Sequence, residues 1–316
     1  IIKMLLDAGA DVNETGEFES SPLILACGNG DLETVKLFEK YKVNFNIGDY
    51  SDFTPLMQAC GSCNVELVKY LIEKGFDPNH KSENNFTCLN VATSNFCSDV
   101  VNYLIDKVNK IDEADDSGIT PLFNSCMNGD LEISKILVSK GANINKENIS
   151  GETPFLYALY SNNYELIKFL LENGADTGIR TEAGSNPLII ACEQGNEEII
   201  KLLIEYGVNV NEMDDSGLSA ILSASFFALE EILEALIKAG SNIEQRNPEG
   251  ETPLMIAAKA GSYSCVKILL QAGANVNATN HENQTVFDLN ISSKILTLIK
   301  SYKPGRNVKP GREEKL

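Results

Sequence analysis

A proline recurs every 33 residues along most of this chain, and the interval never changes. The slot holds Pro22, Pro55, Cys88, Pro121, Pro154, Pro187, Ala220, Pro253 and Val286, with no insertion or deletion between any two members. Two further columns keep the same phase. The residue before the proline is Ser21, Thr54, Thr87, Thr120, Thr153, Asn186, Ser219, Thr252 or Thr285, always small and polar. A third column is apolar throughout: Leu5, Phe38, Leu71, Leu104, Leu137, Leu170, Leu203, Leu236 and Leu269. A period this strict predicts a row of supersecondary units, each burying its apolar face only against its neighbours.

The clearest copy is Asn247 to Thr279, NPEGETPLMIAAKAGSYSCVKILLQAGANVNAT. Pro253 pre-sets φ for a first helical turn, and the hydroxyl of Thr252 can cap it. A short helix follows through Met255 and Ala258 and ends at Gly261. Ser262 can cap a second helix, in which Cys265, Val266, Leu269 and Leu270 share one face. Gly273 stands where a helix C-terminus wants a left-handed residue. That slot is glycine at 9, 75, 141, 174, 207 and 240, with Lys42 and Val108 as exceptions. Asp31, Asn64, Asp130, Asn163, Asn196 and Ser262 form one column of expected second-helix caps. Glu33, Glu66, Glu132, Glu165 and Glu198 follow in the first turn, where the helix dipole favours anions.

With the G-x-T-P-L…A…G…LL…GA-x-V-N pattern in that period, the chain resembles the ankyrin-repeat family over roughly residues 1 to 300. Gly250-Glu251-Thr252-Pro253-Leu254 and Gly9-Ala10-Asp11-Val12-Asn13 are clear matches. The resemblance implies an all-α ankyrin-repeat solenoid of helix-turn-helix units with hairpin-like turns between repeats. Residues 1–15 read as a truncated half repeat. Eight repeats follow at 16–48, 49–81, 82–114, 115–147, 148–180, 181–213, 214–246 and 247–279. A capping repeat spans 280–302, and 303–316 is a basic tail expected to be disordered. The family usually has His two residues after the proline. Here the slot holds Ile24, Met57, Asn90, Phe123, Leu156, Ile189, Leu222 and Met255. Apolar contact is expected to replace the imidazole hydrogen bonds. Segments 82–114 and 214–246 lose the proline and the mid-unit glycine, and 82–114 is expected to exchange its amides faster than its neighbours.

Composition narrows the function. Net charge is −19, while residues 300–316 carry six Lys/Arg against two Glu, so the repeats are strongly acidic. Such a field repels nucleic acid and anionic lipid and attracts basic partners. No apolar run approaches the length of a transmembrane helix, and no secretory signal opens the chain. Four of the eight cysteines, Cys27, Cys60, Cys126 and Cys192, share the slot that holds Ala258 in the clearest copy, so they read as small buried apolar side chains. A reduced, intracellular and cytoplasmic setting is expected, with nuclear targeting by the Lys/Arg tail as the lesser alternative. Cys60-Gly61-Ser62-Cys63 is a lone C-x-x-C and is expected to be structural. Asn-x-Ser/Thr triplets at Asn13, Asn85, Asn148, Asn277, Asn283 and Asn290 fall mostly in turns that favour Asn and Thr anyway.

Catalysis is not expected. Only His80 and His281 are present, both in inter-repeat turns, so no Ser/His/Asp or Cys/His set can be assembled. No phosphate-cradling loop occurs, and no cofactor or metal is implied. The resemblance implies instead that a partner protein docks on a concave face. Its contact slots lie five, four and two residues before the proline, and six and seven after it. In this chain the candidates in those slots are Phe18, Tyr50, Phe53, Phe86, Asp116, Ile119, Met127, Glu152, Tyr160, Glu182, Glu193, Asp215 and Leu218. Aromatics beside carboxylates suit a basic or disordered protein segment. The expected protein is a monomeric, non-catalytic scaffold or adaptor. The alternative is a regulatory arm of a larger enzyme or channel whose other domains lie before Ile1.

Overall fold

The computed structural model describes residues 1–16, 19–45 and 48–302. Phe18 and the tail 303–316 lie outside these residues. The chain divides into two units, Ile1–Asp176 and Thr177–Leu316. Each is built from helix pairs, and the described residues contain no strand, only an isolated bridge between Met213 and Ser219.

In the first unit the proline-slot helices are α2 (Pro22–Gly28), α4 (Pro55–Gly61), α6 (Cys88–Ser94), α8 (Pro121–Met127) and α10 (Pro154–Ser161). Their partners are α1 (Ile2–Asp7), α3 (Leu32–Lys40), α5 (Val65–Glu73), α7 (Ser98–Leu104), α9 (Leu131–Ser139) and α11 (Tyr164–Glu172). In the second unit α12 (Pro187–Gln194), α14 (Ala220–Phe226) and α16 (Pro253–Lys259) alternate with α13 (Glu197–Glu205), α15 (Glu230–Lys238) and α17 (Tyr263–Ala272), and α18 (Ser293–Ser301) packs on α17. Each first helix packs on the next first helix of its unit, as α2 on α4 and α14 on α16, and second helices stack likewise, as α5 on α7 and α15 on α17.

The spine of both units is the leucine column. Leu71, Leu104, Leu137 and Leu170 in the first unit and Leu203, Leu236 and Leu269 in the second are fully buried. Fully burying one such side chain contributes about 1.5–3 kcal/mol, so the column carries much of the inter-repeat energy. The histidine slot is apolar and buried at Ile24, Met57, Phe123, Leu156, Ile189, Leu222 and Met255, but Asn90 departs from the expected apolar contact. Its amide donates to the carbonyls of Glu113 (3.4 Å) and Ile119 (3.3 Å), spanning the following hairpin.

All six expected second-helix caps hold. The side chains of Asp31, Asn64, Asp130, Asn163, Asn196 and Ser262 accept from the amide three residues on. Cys97 and Leu229 occupy the same column without a side-chain cap bond, so the two irregular segments each lose one.

The backbone is more regular than the sequence. Left-handed residues recur at 33-residue steps whether or not they are glycine. At mid-unit they are Gly30, Cys63, Phe96, Gly129, Asn162, Gly195, Ala228 and Gly261. At the helix C-terminus Lys42 takes φ 61 where its counterparts Gly75 and Gly141 take 99 and 92. Val108 does not join them, and α7 before it is seven residues long against nine for α5 and α9.

One expectation fails. The cysteines do not all remain thiols: Cys63 and Cys97 form a disulfide, with Cα atoms 4.8 Å apart. Cys63 occupies the mid-unit turn, and that turn is where the repeat brings it against Cys97, the next repeat's second-helix cap. Cys27, Cys60, Cys126 and Cys192 are free and buried, as are Cys88 and Cys265. Burial pushes the thiols of Cys27, Cys126 and Cys192 up to about 12, so they stay protonated and behave as apolar groups.

Candidate functional site

Phe18 aside, the candidate contact residues sit on the inter-repeat hairpins and the first helices. Each hairpin is closed by a backbone bond to the residue two before the proline slot. Asp49 N–H donates to Phe53, Ser82 to Phe86, Asp115 to Ile119 and Asn148 to Glu152 in the first unit, and Asp214 to Leu218 and Asn247 to Glu251 in the second. Side chains reinforce the same closure. Asp49 Oδ1 accepts from the amides of Ser51 and Phe53, both at 3.0 Å, and Asp115 Oδ1 from Ser117 and Ile119 at 2.9 Å. Ser82, Asn148, Thr181, Asp214, Asn247 and Asn280 do the same for the residue four further on.

Sequence reading missed this column. Its signal is an unbroken run of Asp, Asn, Ser and Thr at 33-residue steps, a set that hydrogen-bonds its own backbone in turns. These side chains position the contact slot, because they hold the amides of Phe53, Phe86, Ile119, Glu152 and Leu218.

Adjacent tips in the first unit are also tied together. Glu83 N–H donates to Ser51 O (3.1 Å), Asp116 to Asn84 O (3.3 Å) and Ile149 to Ser117 O (3.1 Å). The approach is close enough that a Cβ on Gly118 would lie 2.8 Å from the Cα of Asn148. That fixes the spacing of side chains along the tips. Phe53 and Phe86, both half-buried, stack at a tilt with centroids 6.3 Å apart. Tyr50 is 60% exposed, and Met127 and Tyr160 are exposed on their helices. Ile119 is half-buried. Asp116 is exposed, but its carboxylate already accepts from the Asn85 amide. Glu152 accepts from the Tyr157 hydroxyl (3.0 Å) and the Asn148 amide (3.2 Å), while the Tyr157 ring stands edge-on to Phe123.

In the second unit Glu182, Glu193 and Asp215 are exposed. Neighbouring atoms and the Asp214 carboxylate push the Glu193 carboxyl above the ordinary range. Leu218 lines a hollow of about 390 Å³ with Leu222, Phe226, Ile256, Ala260, Asn247, Glu251 and Lys259. Glu251 is only 8% exposed and is neutralised by Lys259 at 2.7 Å, so the hollow is apolar with one ion pair at its edge. Phe226 and Phe227 are both exposed and pack edge to face on each other.

His80 pairs with Asp52 on the preceding tip (3.1 Å). Among the described residues no group of three or more His, Cys, Asp or Glu is placed to hold a metal. No helix among them is long and apolar enough to cross a membrane.

The likeness to known proteins agrees with the geometry. The human ASB11 ankyrin repeat domain superposes with a TM-score of 0.60 at 24% identity, covering 70% of this chain and 99% of that one. An ankyrin repeat domain from Acinetobacter baumannii AYE superposes with a TM-score of 0.56 at 30% identity, covering 59% of this chain and 98% of that one. No curated protein matches the chain. The family pattern for ankyrin repeats in three copies matches residues 1–82, 89–181, 155–247, 188–280 and 221–300. With that pattern running nearly end to end through stacked helix pairs, this chain belongs to the ankyrin-repeat family.

Proposed function

We propose that this chain is a non-catalytic scaffold or adaptor that binds a basic or disordered protein segment on its hairpin tips and first helices. Ankyrin repeats are generally protein-interaction modules. The observation that carries the finer reading is the tip of the first unit, where Tyr50 and the Phe53–Phe86 stack lie on a backbone already tied down by side-chain hydrogen bonds. Exposed aromatics on a pre-ordered backbone bind at low entropic cost. The acidic repeats supply the charge that draws a cationic segment. Taken by itself, the second unit offers the raised carboxyl of Glu193, which a nearby cation relieves, and the hollow at Leu218, which can take one apolar side chain.

The test uses two unstructured peptides of equal length with interspersed Leu and Tyr, one rich in Lys and Arg and one rich in Glu. The basic peptide binds and the acidic one does not. Its affinity falls as salt rises, because exposed charges act through a screened field. Replacing both Tyr50 and Phe53 with Ala weakens it by about tenfold or more, as loss of a hot spot does. An affinity that ignores both salt and the double substitution would overturn the proposal.

A further inference from the structure

We infer that the Cys63–Cys97 disulfide is a reversible redox latch between two successive repeats, and that reducing it selectively loosens residues 82–114. The pairing is a property of the repeat. Cys63 is the mid-unit left-handed residue of its repeat, and Cys97 is the second-helix cap of the next, 34 positions on. The same two slots meet elsewhere through a hydrogen bond. The Asn64 amide donates to Gly30 O at 2.8 Å, and the Asn163 amide donates to Gly129 O at 2.8 Å. A Cβ built on Gly30 would lie 3.4 Å from the Cβ of Asn64, and one on Gly129 would lie 3.8 Å from that of Asn163. Those separations are close to the Cβ–Cβ span of about 3.5–4.5 Å that a disulfide bridges. Of all such slot pairs in the sequence, only 63 and 97 are both cysteine.

The bond stands where the array has lost other supports. Helix α7 has no side-chain cap and is two residues shorter than α5 and α9. Phe96 beside it is held at φ 60, which costs a non-glycine residue free energy. The helix-terminal glycine of most other repeats is Val108 here. A covalent tie to the preceding repeat replaces what these positions would otherwise contribute.

Access is one-sided. Cys63 is exposed, while Cys97 is 2% exposed. A dithiol reductant therefore attacks the Cys63 sulfur. The Cys97 sulfur leaves as thiolate and takes a proton, and the second thiol of the reductant resolves the mixed disulfide, leaving two cysteine thiols and one oxidised reductant. A low-molecular-weight disulfide such as oxidised glutathione runs the exchange backward, taking up the two electrons. The six remaining cysteines are buried thiols, so the exchange stays confined to this pair. Phe53 and Phe86 stand on the tips of the same two repeats. Control of partner binding by the latch rests on the proposed function, whereas the latch itself does not.

The experiment treats the full chain with oxidised glutathione or with a dithiol. Cross-linked peptides are mapped by mass spectrometry after denaturing alkylation, and amide exchange is followed in both states. Oxidised protein yields a 63–97 cross-link. Reduction raises exchange in 82–114 on the order of 10²-fold, and far less in 148–180, as loss of a cross-link with local opening does. Re-oxidation restores protection. The Cys97→Asn variant, which restores the repeat's hydrogen-bonding cap, is protected to an intermediate degree and insensitive to reductant. Thiols at 63 and 97 that survive oxidised glutathione, exchange in 82–114 that ignores reduction, or an equal rise in every repeat would each overturn the inference.

Discussion

At Ala228 the chain carries a left-handed residue, φ 57, in a column where Gly195 and Gly261 take 69 and 78. The repeat dictates the conformation and the local sequence merely tolerates it. A Cβ in that region costs about 1–2 kcal/mol, and glycine in the unfolded chain gives back part of that gain. Ala228→Gly is therefore expected to stabilise the protein by about 0.5–1 kcal/mol, read as a shift in the urea midpoint with unchanged slope. A midpoint that falls would mean the position is not strained. The same logic explains which single residues were legible. Caps such as Asn64 and Asn163 announce themselves, because a polar side chain before an apolar face has few other uses. The Asp49 and Asp115 column was harder to read, because any surface turn is rich in such residues and only their shared phase sets them apart.

Helices short enough to be unstable alone are held here by their neighbours. No first helix exceeds eight residues, well below the length at which an isolated helix persists in water. Stability must come from the stack, and the leucine column is where it is concentrated. Leu170→Ala in α11 is expected to cost about 2–5 kcal/mol, measured by denaturant unfolding. A cost near zero would mean that the side chain does not fill an inter-repeat core. The element scale also shows why α7 could be flagged but not described from sequence. The missing proline and glycines at 88, 96 and 108 signal a weakened repeat, but the two-residue shortening of α7, the lost cap at Cys97 and the disulfide depend on how the neighbouring repeats are placed.

For the molecule as a whole, the buried thiols predict alkaline sensitivity. Cys27, Cys126 and Cys192 are raised from 9.0 to about 12 by burial. Between these values the unfolded chain releases each proton and the folded chain keeps it. The contribution of these thiols to folding stability is therefore fully present below pH 9 and is lost as pH rises toward 12, by about 1.4 kcal/mol per pH unit for each thiol. Unfolding at pH 8 and pH 10.5 should show the loss, and Cys126→Ala, which adopts the residue of the 258 slot, should shrink it. An unchanged slope in the variant would remove that thiol from the account.

The one-dimensional pattern was sufficient for the family, the helix pairs and their caps, since a repeat writes its local rules into every copy and each copy needs only contacts within reach of its own period. Three things had to wait for the folded chain: the 63–97 bond, the stack of Phe53 on Phe86, and the hollow beside Leu218. All three join residues of neighbouring repeats. Their distances are set by how closely one tip or helix packs on the next, and no single copy of the pattern contains that separation.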